Sequence, residues 1–195
     1  MTGSGPYIHS GTAFLAALAL GALLVIHGWL THAPRRAIVS RLFGVFYAAW
    51  VVSMTLLPLQ PGPPGSGVGL DPYWRHSVNL VPFETIRLYL KSDLGRIAWA
   101  NVLGNLLLLV PLGALGPVAW RKLDHWGRIL GAGLAMSVGI EALQFAKRFI
   151  DVLGQTRSVD IDDVLLNVAG VLIGFIGYRL VRPWWRRRWG ERRGA

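Results

Sequence analysis

The sequence predicts an all-α membrane protein, a polytopic helical bundle of about five transmembrane helices with a short interfacial helix in the outer loop. Three observations predict this class: 53% of the 195 residues are hydrophobic, 15% are charged, and the apolar residues gather into long blocks. Soluble domains average about 25% charged residues, so this charged fraction is hard to fit to a soluble fold. The length indicates a single membrane domain over residues 1–195.

Five apolar blocks are long enough, or nearly so, to cross a bilayer, which takes about 20 helical residues. The third block contains no charged residue, although Asn101, Asn105 and Pro111 interrupt it. No basic residue precedes the first block, so it is interpreted as a retained helix rather than a signal peptide. The blocks run from Thr12 to Leu30, Leu42 to Leu59, Ile97 to Trp120, Gly127 to Phe145 and Asp163 to Leu180.

The basic residues predict that the N-terminus lies outside the cell and the C-terminus in the cytoplasm. In this arrangement thirteen of the twenty Lys and Arg residues are cytoplasmic, and seven of those lie in the tail from Arg179 to Arg193. Trp184, Trp185 and Trp189 accompany them, so residues 179–195 are interpreted as a cytoplasmic anchor against anionic lipid. The lipid bilayer is therefore the expected partner, and nucleic acid is not, despite the net charge of +10.

Polar side chains concentrate near the helix ends that this topology places outside. Asp160, Asp163 and Asn167 follow one another at steps of three or four residues, so a helix carries them on one stripe. Polar groups in hydrocarbon are costly and normally face a bundle interior or a wet cavity, where they mark a site. The predicted functional cluster consists of Asn79, Asn101, Asn105, Glu141, Gln144, Arg157, Asp160, Asp163 and Asn167.

Structural interpretations of these residues stay open beside the functional one. Asp160 and Asp163 have the spacing of a helix N-cap and its N3 partner, although Asn167 lies too far along the helix for capping. Asn105 suits a hydrogen bond between close-packed helices. Glu141 suits an ion pair with Arg157, or with another polar group of the same side, as well as it suits catalysis.

Several kinds of chemistry are not expected. The chain has no cysteine, so neither disulfides nor thiolate metal sites contribute. His27 and His32 have no second ligand at metal-binding spacing, and neither a Gly-x-Ser-x-Gly elbow nor a His-Glu-x-x-His motif occurs. We therefore expect no metal and no cofactor, and the sequence assigns no catalytic residue.

Four short motifs, in one order along residues 79–174, carry a resemblance to a known family. They are Asn79–Phe83, Asn101–Asn105 running to Pro111–Gly113, Glu141–Gln144, and Arg157–Asp163 followed by Asn167 and Gly170. In this combination the chain resembles the VanZ-like family of bacterial membrane proteins, over about half of its length. The family is named for a member that lowers sensitivity to teicoplanin, a glycopeptide that binds peptidoglycan precursors outside the cell.

The resemblance implies a multi-pass protein of the bacterial plasma membrane with a link to the cell envelope. One function class is binding or modulation of a lipid-linked or peptidoglycan-related ligand, or of an envelope protein, through the outer cluster. The alternative is an intramembrane enzyme that uses carboxylates for acid/base chemistry, or to hold a divalent cation against a lipid phosphate. The first is favoured because the cluster contains neither a nucleophile nor a histidine base; a purely structural cluster is the third interpretation.

The orientation can be tested with reporter fusions at Ala195. Because basic residues are retained on the cytoplasmic side during insertion, a fusion at Ala195 should behave as a cytoplasmic reporter. The measurement is the activity of paired reporters that work only inside or only outside the membrane. An extracytoplasmic signal from this fusion would overturn the orientation, and with it the outer placement of the cluster.

Overall fold

The computed structural model describes residues 8–60, 78–91, 95–150 and 158–190, with the side chains of Ile97 and of residues 185–190 outside the description. These residues are predominantly helical, which confirms the predicted class. The elements in chain order are α1 Ser10–Leu30, α2 Arg35–Thr55, β1 Val78–Asn79, α3 Glu84–Lys91, α4 Gly95–Leu108, α5 Val110–Ala119, a short 3-10 turn Arg121–Leu123, α6 Trp126–Lys147, β2 Val159–Asp160 and α7 Ile161–Gly190.

Within the described residues, five helical stretches are long and apolar enough to cross a membrane, as the apolar blocks predict. Two of them are α1 and α2, and a third is Ala98–Ala119, which combines α4 with α5. The remaining two are α6 and the segment Ile161–Trp184 of α7. The short helix expected in the loop before the third block is α3, although most of that loop lies outside the described residues.

The third membrane-spanning stretch is broken in the middle, which the apolar pattern did not predict. Leu109 lies between α4 and α5 in a non-helical conformation, and Pro111 occupies the start of α5. Proline lacks an N–H group and clashes with the carbonyl four residues earlier, so it is favoured at a helix start and disfavoured in a helix interior, although Pro117 and Pro183 lie inside α5 and α7. Pro111 therefore explains why one apolar block becomes two helices.

Two compact units divide the chain, and each contains one part of α6. The first unit comprises residues up to Pro82 together with Val138–Ile161, and the second comprises Phe83–Ser137 together with the chain from Asp162 onward. In the first unit α1 packs against α2. Small residues permit this contact, because a Cβ on Gly28 would lie 2.7 Å from the Ile38 side chain.

In the second unit α7 approaches α4 and α5 so closely that only glycine fits at the contact. A Cβ on Gly170 would overlap the carbonyl oxygen of Leu106, and one on Gly174 would overlap that of Val110. Gly113 of α5 faces the carbonyl oxygen of Val171 in the same way. These glycines allow backbone-to-backbone packing, which is typical of helix pairs in membranes.

The first unit also contains a parallel strand pair that the helical pattern did not predict. Val78 pairs with Val159, and Asn79 pairs with Asp160. Only two residues on each side take part, so the pairing leaves the fold class unchanged. It joins two of the four motifs, since Asn79 opens the first and Asp160 lies in the last.

We predict that Gly170→Ala destabilises the protein, because the new methyl group meets a backbone carbonyl that cannot rotate away. Overpacking of this kind costs about 1–3 kcal/mol. The measurement is the Tm of the purified protein in detergent. Gly177→Ala is the matched control on the same helix, since a Cβ there has nothing within 4 Å, and it should leave the Tm unchanged or raise it slightly. An equal Tm for Gly170→Ala and wild type would contradict the close approach.

Candidate functional site

Asp160 connects three elements of the first unit. Its backbone N–H donates to Glu141 Oε2 at 3.1 Å, and its Oδ1 accepts a hydrogen bond from Asn79 Nδ2 at 3.1 Å. Asn79 Oδ1 in turn accepts from the backbone N–H of Val81, which fixes the turn that follows β1. Glu141 and Asp160 are each only 5% exposed. Two buried carboxylates therefore lie close together in this unit.

The last turns of α6 hold the chain segment at and after the end of α2. Gln144 Nε2 donates to the Thr55 carbonyl oxygen at 3.2 Å, and Lys147 Nζ donates to the Pro58 carbonyl oxygen at 2.7 Å. The final carbonyls of a helix have no partner within it, so side-chain donors stabilise its end. Arg148 follows Lys147 and is also buried. This part of the first unit thus contains buried groups of both charge signs.

Asp162 performs a different task in the second unit, where it caps α3 from a distant part of the sequence. Its Oδ1 accepts the backbone N–H of Phe83 at 2.5 Å, and its Oδ2 accepts that of Ile86 at 3.1 Å. Phe83 precedes the helix and Ile86 is its third residue, so these are the two N–H groups that a capping box satisfies. Neither of these two residues has a polar side chain for capping. Asp162, which is 0% exposed, supplies both acceptors.

Asp163 and the two predicted asparagines of α4 lie in the same unit. Asp163 Oδ1 accepts a hydrogen bond from Asn105 Nδ2, which joins α7 to α4. One turn earlier on α4, Asn101 Nδ2 donates to the hydroxyl oxygen of Tyr89 at 3.1 Å, which joins α4 to α3. Amide-to-carboxylate and amide-to-hydroxyl bonds of this kind are the interhelical contacts that polar residues form in membranes.

Asn167 lies one turn beyond Asp163, and its amide is only half satisfied. Its Nδ2 donates to Ser137 Oγ at 2.9 Å, whereas its Oδ1 accepts no hydrogen bond. Among the residues that the structure describes, this is the only buried side-chain N or O atom that lacks a hydrogen-bond partner. The residue is 1% exposed. A buried polar atom without a partner costs about 1–3 kcal/mol. Asn167 is thus kept at a cost to stability.

The structure brings the predicted residues together in two sets. Asp160 is hydrogen-bonded to both Asn79 and Glu141 in the first unit, and Asn105 is bonded to Asp163 in the second. Gln144, Asn101 and Asn167 have other partners, as given above. Arg157 lies outside the described residues, so its expected pairing stays a prediction, as does the joining of both sets into one cluster.

Asp162, Lys147 and Ser137 are not among the site residues that the sequence predicts. Asp162 lies on a different side of the helix from Asp163 and Asn167, so the periodicity that predicts the cluster does not include it. A signal was available, because α3 begins after Phe83, without any of the residues that usually cap a helix. A helix start that lacks a local cap needs an acceptor from elsewhere in the chain.

The first unit contains several hydrogen-bond acceptors and two buried cations, Lys147 and Arg148. Among the residues that the structure describes, no group of three His, Asp or Glu side chains lies close enough together to hold a metal ion. Carboxylate and amide oxygens accept hydrogen bonds from hydroxyl and N–H groups. Lysine and arginine bind phosphate and carboxylate groups. The arrangement is therefore suited to binding a ligand that carries both donors and an anionic group.

Comparison with known protein families identifies the group to which the chain is similar. The family model described as VanZ/LLP1 matches residues 43–182, which is more than two thirds of the chain and includes all four motifs. No curated protein and no solved structure matches the sequence.

We predict that Asp162→Asn loosens α3, because an amide side chain retains one acceptor oxygen and directs N–H groups at the other backbone donor. A hydrogen bond to a charged group contributes about 1.5–3 kcal/mol, so the amides of α3 should exchange roughly 10- to 100-fold faster. The measurement is hydrogen–deuterium exchange followed by mass spectrometry of the peptide that covers Phe83 to Lys91.

Asp163→Asn is the matched control, because it makes the same change at the neighbouring carboxylate, which accepts a hydrogen bond from Asn105 of α4. It should leave exchange in α3 close to the wild-type rate. Equal exchange in wild type and Asp162→Asn would contradict the capping role.

Proposed function

The chain belongs to the VanZ/LLP1 family, and we propose that it binds a lipid-linked or peptidoglycan-related ligand of the bacterial cell envelope. The proposed site lies in the first unit, at the helix ends predicted to be outside, and is formed by Asn79, Glu141, Gln144, Lys147, Arg148 and Asp160. The chain is a multi-pass membrane protein, with five helical stretches that can cross a bilayer among its described residues. The ligand would therefore be reached from within the membrane or from its surface.

One observation carries this proposal: the first unit buries charged residues of both signs. Glu141, Lys147, Arg148 and Asp160 are all at most 8% exposed. Placing one charged side chain at the centre of a membrane helix costs about 2.5–3.5 kcal/mol on insertion scales, and less near the ends. Apolar helix packing does not need such residues. Their concentration at one end of α6 supports a binding role.

The chemistry of the site supports a ligand with a phosphate group and a polar head. The planar guanidinium of Arg148 suits the bidentate recognition of phosphate, and Lys147 adds a second positive charge. Glu141, Gln144 and Asp160 can accept hydrogen bonds from sugar hydroxyls or peptide N–H groups. A polyprenyl-linked envelope precursor combines these groups with an apolar tail that can lie along the helices.

A link to glycopeptide sensitivity follows from the same proposal. Glycopeptides act on peptidoglycan precursors outside the cell, and a membrane protein that binds those precursors there changes the amount available to the drug. The effect on the cell would then be a shift in sensitivity without any chemical change to the drug. No catalytic step is part of this proposal.

The proposal predicts that a polyprenyl phosphate binds the purified protein and that the corresponding uncharged alcohol does not. Undecaprenyl phosphate should raise the Tm of the protein in detergent, whereas undecaprenol should leave it unchanged. Arg148→Gln removes one charge-assisted contact and should weaken binding roughly 10- to 100-fold. Arg128→Gln is the matched control, because it makes the same change at an exposed position near the opposite end of α6.

The same variants can be scored in a strain that lacks the protein, with teicoplanin sensitivity and membrane abundance as readouts. Normal abundance with a lost phenotype in Arg148→Gln, and a normal phenotype in Arg128→Gln, is the expected result. An equal Tm response to the phosphate and the alcohol would refute phosphate binding. Parallel loss of abundance and function in Arg148→Gln would assign Arg148 to folding instead.

A further inference from the structure

The exposed side of α3 and the first turns of α4 form a mixed apolar and basic surface that the ligand site does not use. Leu88 and Leu90 of α3 are 62% and 70% exposed, and Phe83 and Trp99 are also largely exposed. Arg87, Lys91 and Arg96 are exposed beside them, with Glu84 as the acidic residue of the same surface. We call this set of residues, all in the second unit, the α3 surface.

Two contacts fix the position of α3 along the membrane-crossing helix. Asp162 of α7 holds the first turn of α3 by two hydrogen bonds, and Tyr89 at the other end accepts a hydrogen bond from Asn101 of α4. The apolar stretch that can cross the membrane begins at Ala98, three residues before Asn101. At 1.5 Å per helical residue, Tyr89 thus contacts α4 about 4.5 Å inside the start of this stretch. By length and composition, this contact therefore lies near the end of the stretch that can cross the membrane, where a crossing helix meets the lipid headgroups.

The arrangement of side chains on α3 suits this depth. Around the helix axis, at 100° per residue, Leu88 lies on one side of Arg87 and Lys91, and Leu90 lies on the other. Arginine and lysine at a bilayer boundary place their apolar stems in the lipid and their charged ends among the headgroups. Trp99 occupies the first turn of the crossing stretch, where tryptophan is enriched in membrane proteins. If water covered this surface, four large apolar side chains would stay hydrated, which is unfavourable; contact with lipid removes this cost.

We propose that the α3 surface binds the bilayer boundary and prefers anionic phospholipid headgroups, as a site separate from the ligand site of the first unit. Among the described residues of this surface three are basic and one is acidic, which gives this set a positive charge that complements phosphatidylglycerol. A basic residue close to an anionic membrane contributes roughly fivefold to binding. Asp162 supports this surface indirectly, because it holds the first turn of α3 against α7.

The absence of cysteine from the native sequence makes a clean spin-label test possible. Leu88→Cys and Leu90→Cys are each labelled with a nitroxide in the full chain. The protein is reconstituted into vesicles of phosphatidylcholine alone, or of equal parts phosphatidylcholine and phosphatidylglycerol. Collision with oxygen reports lipid around the label, and collision with a water-soluble nickel chelate reports water. Leu107→Cys in the crossing stretch and Lys122→Cys in the 3-10 turn, both exposed positions, serve as lipid and water references.

The expected result is that labels at Leu88 and Leu90 collide mainly with oxygen, and more so when phosphatidylglycerol is present. Replacing Arg87, Lys91 and Arg96 together by glutamine should abolish the dependence on phosphatidylglycerol while leaving the Tm close to wild type, since all three are exposed.

Labels that collide mainly with the nickel chelate would overturn the proposal. Labels shielded from both reagents would also overturn it, because a protein partner or a second copy of the chain would then cover the surface. Contact with lipid that is equal in both vesicle types would refute the preference for anionic headgroups.

Discussion

A carboxylate that is buried in a membrane protein must obtain its hydrogen-bond donors from the protein itself, and much of this structure follows from that constraint. Asp162 obtains both donors from the start of α3, and in doing so holds that helix in place. Glu141 obtains one from the backbone of Asp160, beside the short strand pair. In each unit a carboxylate therefore accepts backbone N–H groups of a short element: α3 in the second unit and β2 in the first.

Close helix packing provides the frame for these contacts in the second unit. Gly170 and Gly174 allow α7 to approach the carbonyl oxygens of Leu106 and Val110, which lie on either side of the break at Leu109. The same approach places Asp163 against Asn105, which directly precedes Leu106, the residue whose carbonyl oxygen is closest to α7. Packing by small residues and hydrogen bonding by polar residues thus act over the same few turns, and a change in either would disturb the other.

The sequence was a good guide to what depends on local pattern. Hydrophobic block length predicted the five crossing stretches, and the motifs predicted the family that the VanZ/LLP1 match shows. It was a poor guide to contacts between distant residues, because the periodicity of one helix does not indicate which other segment packs against it. Asp162 lies 76 positions from Ile86, and the pairing of Asn79 with Asp160 spans 81. Pro111 interrupts the third apolar block in the sequence, but the break into two helices was not predicted, because a proline near the middle of such a block alters neither its length nor its hydropathy.

Several of the contacts described above join a side chain to main-chain atoms of another segment. Gln144 and Lys147 bind carbonyl oxygens of Thr55 and Pro58, and Asp162 binds the N–H groups of Phe83 and Ile86. Almost any amino acid provides the main-chain atom of such a contact, whereas only a few side chains have the length and the polar group needed to bind it. Mutational tolerance should therefore be one-sided: the recognised segments can drift in sequence while the recognising residues stay fixed. A homologue would then be identified more reliably by the ends of α6 and the start of α7 than by the segments that they hold.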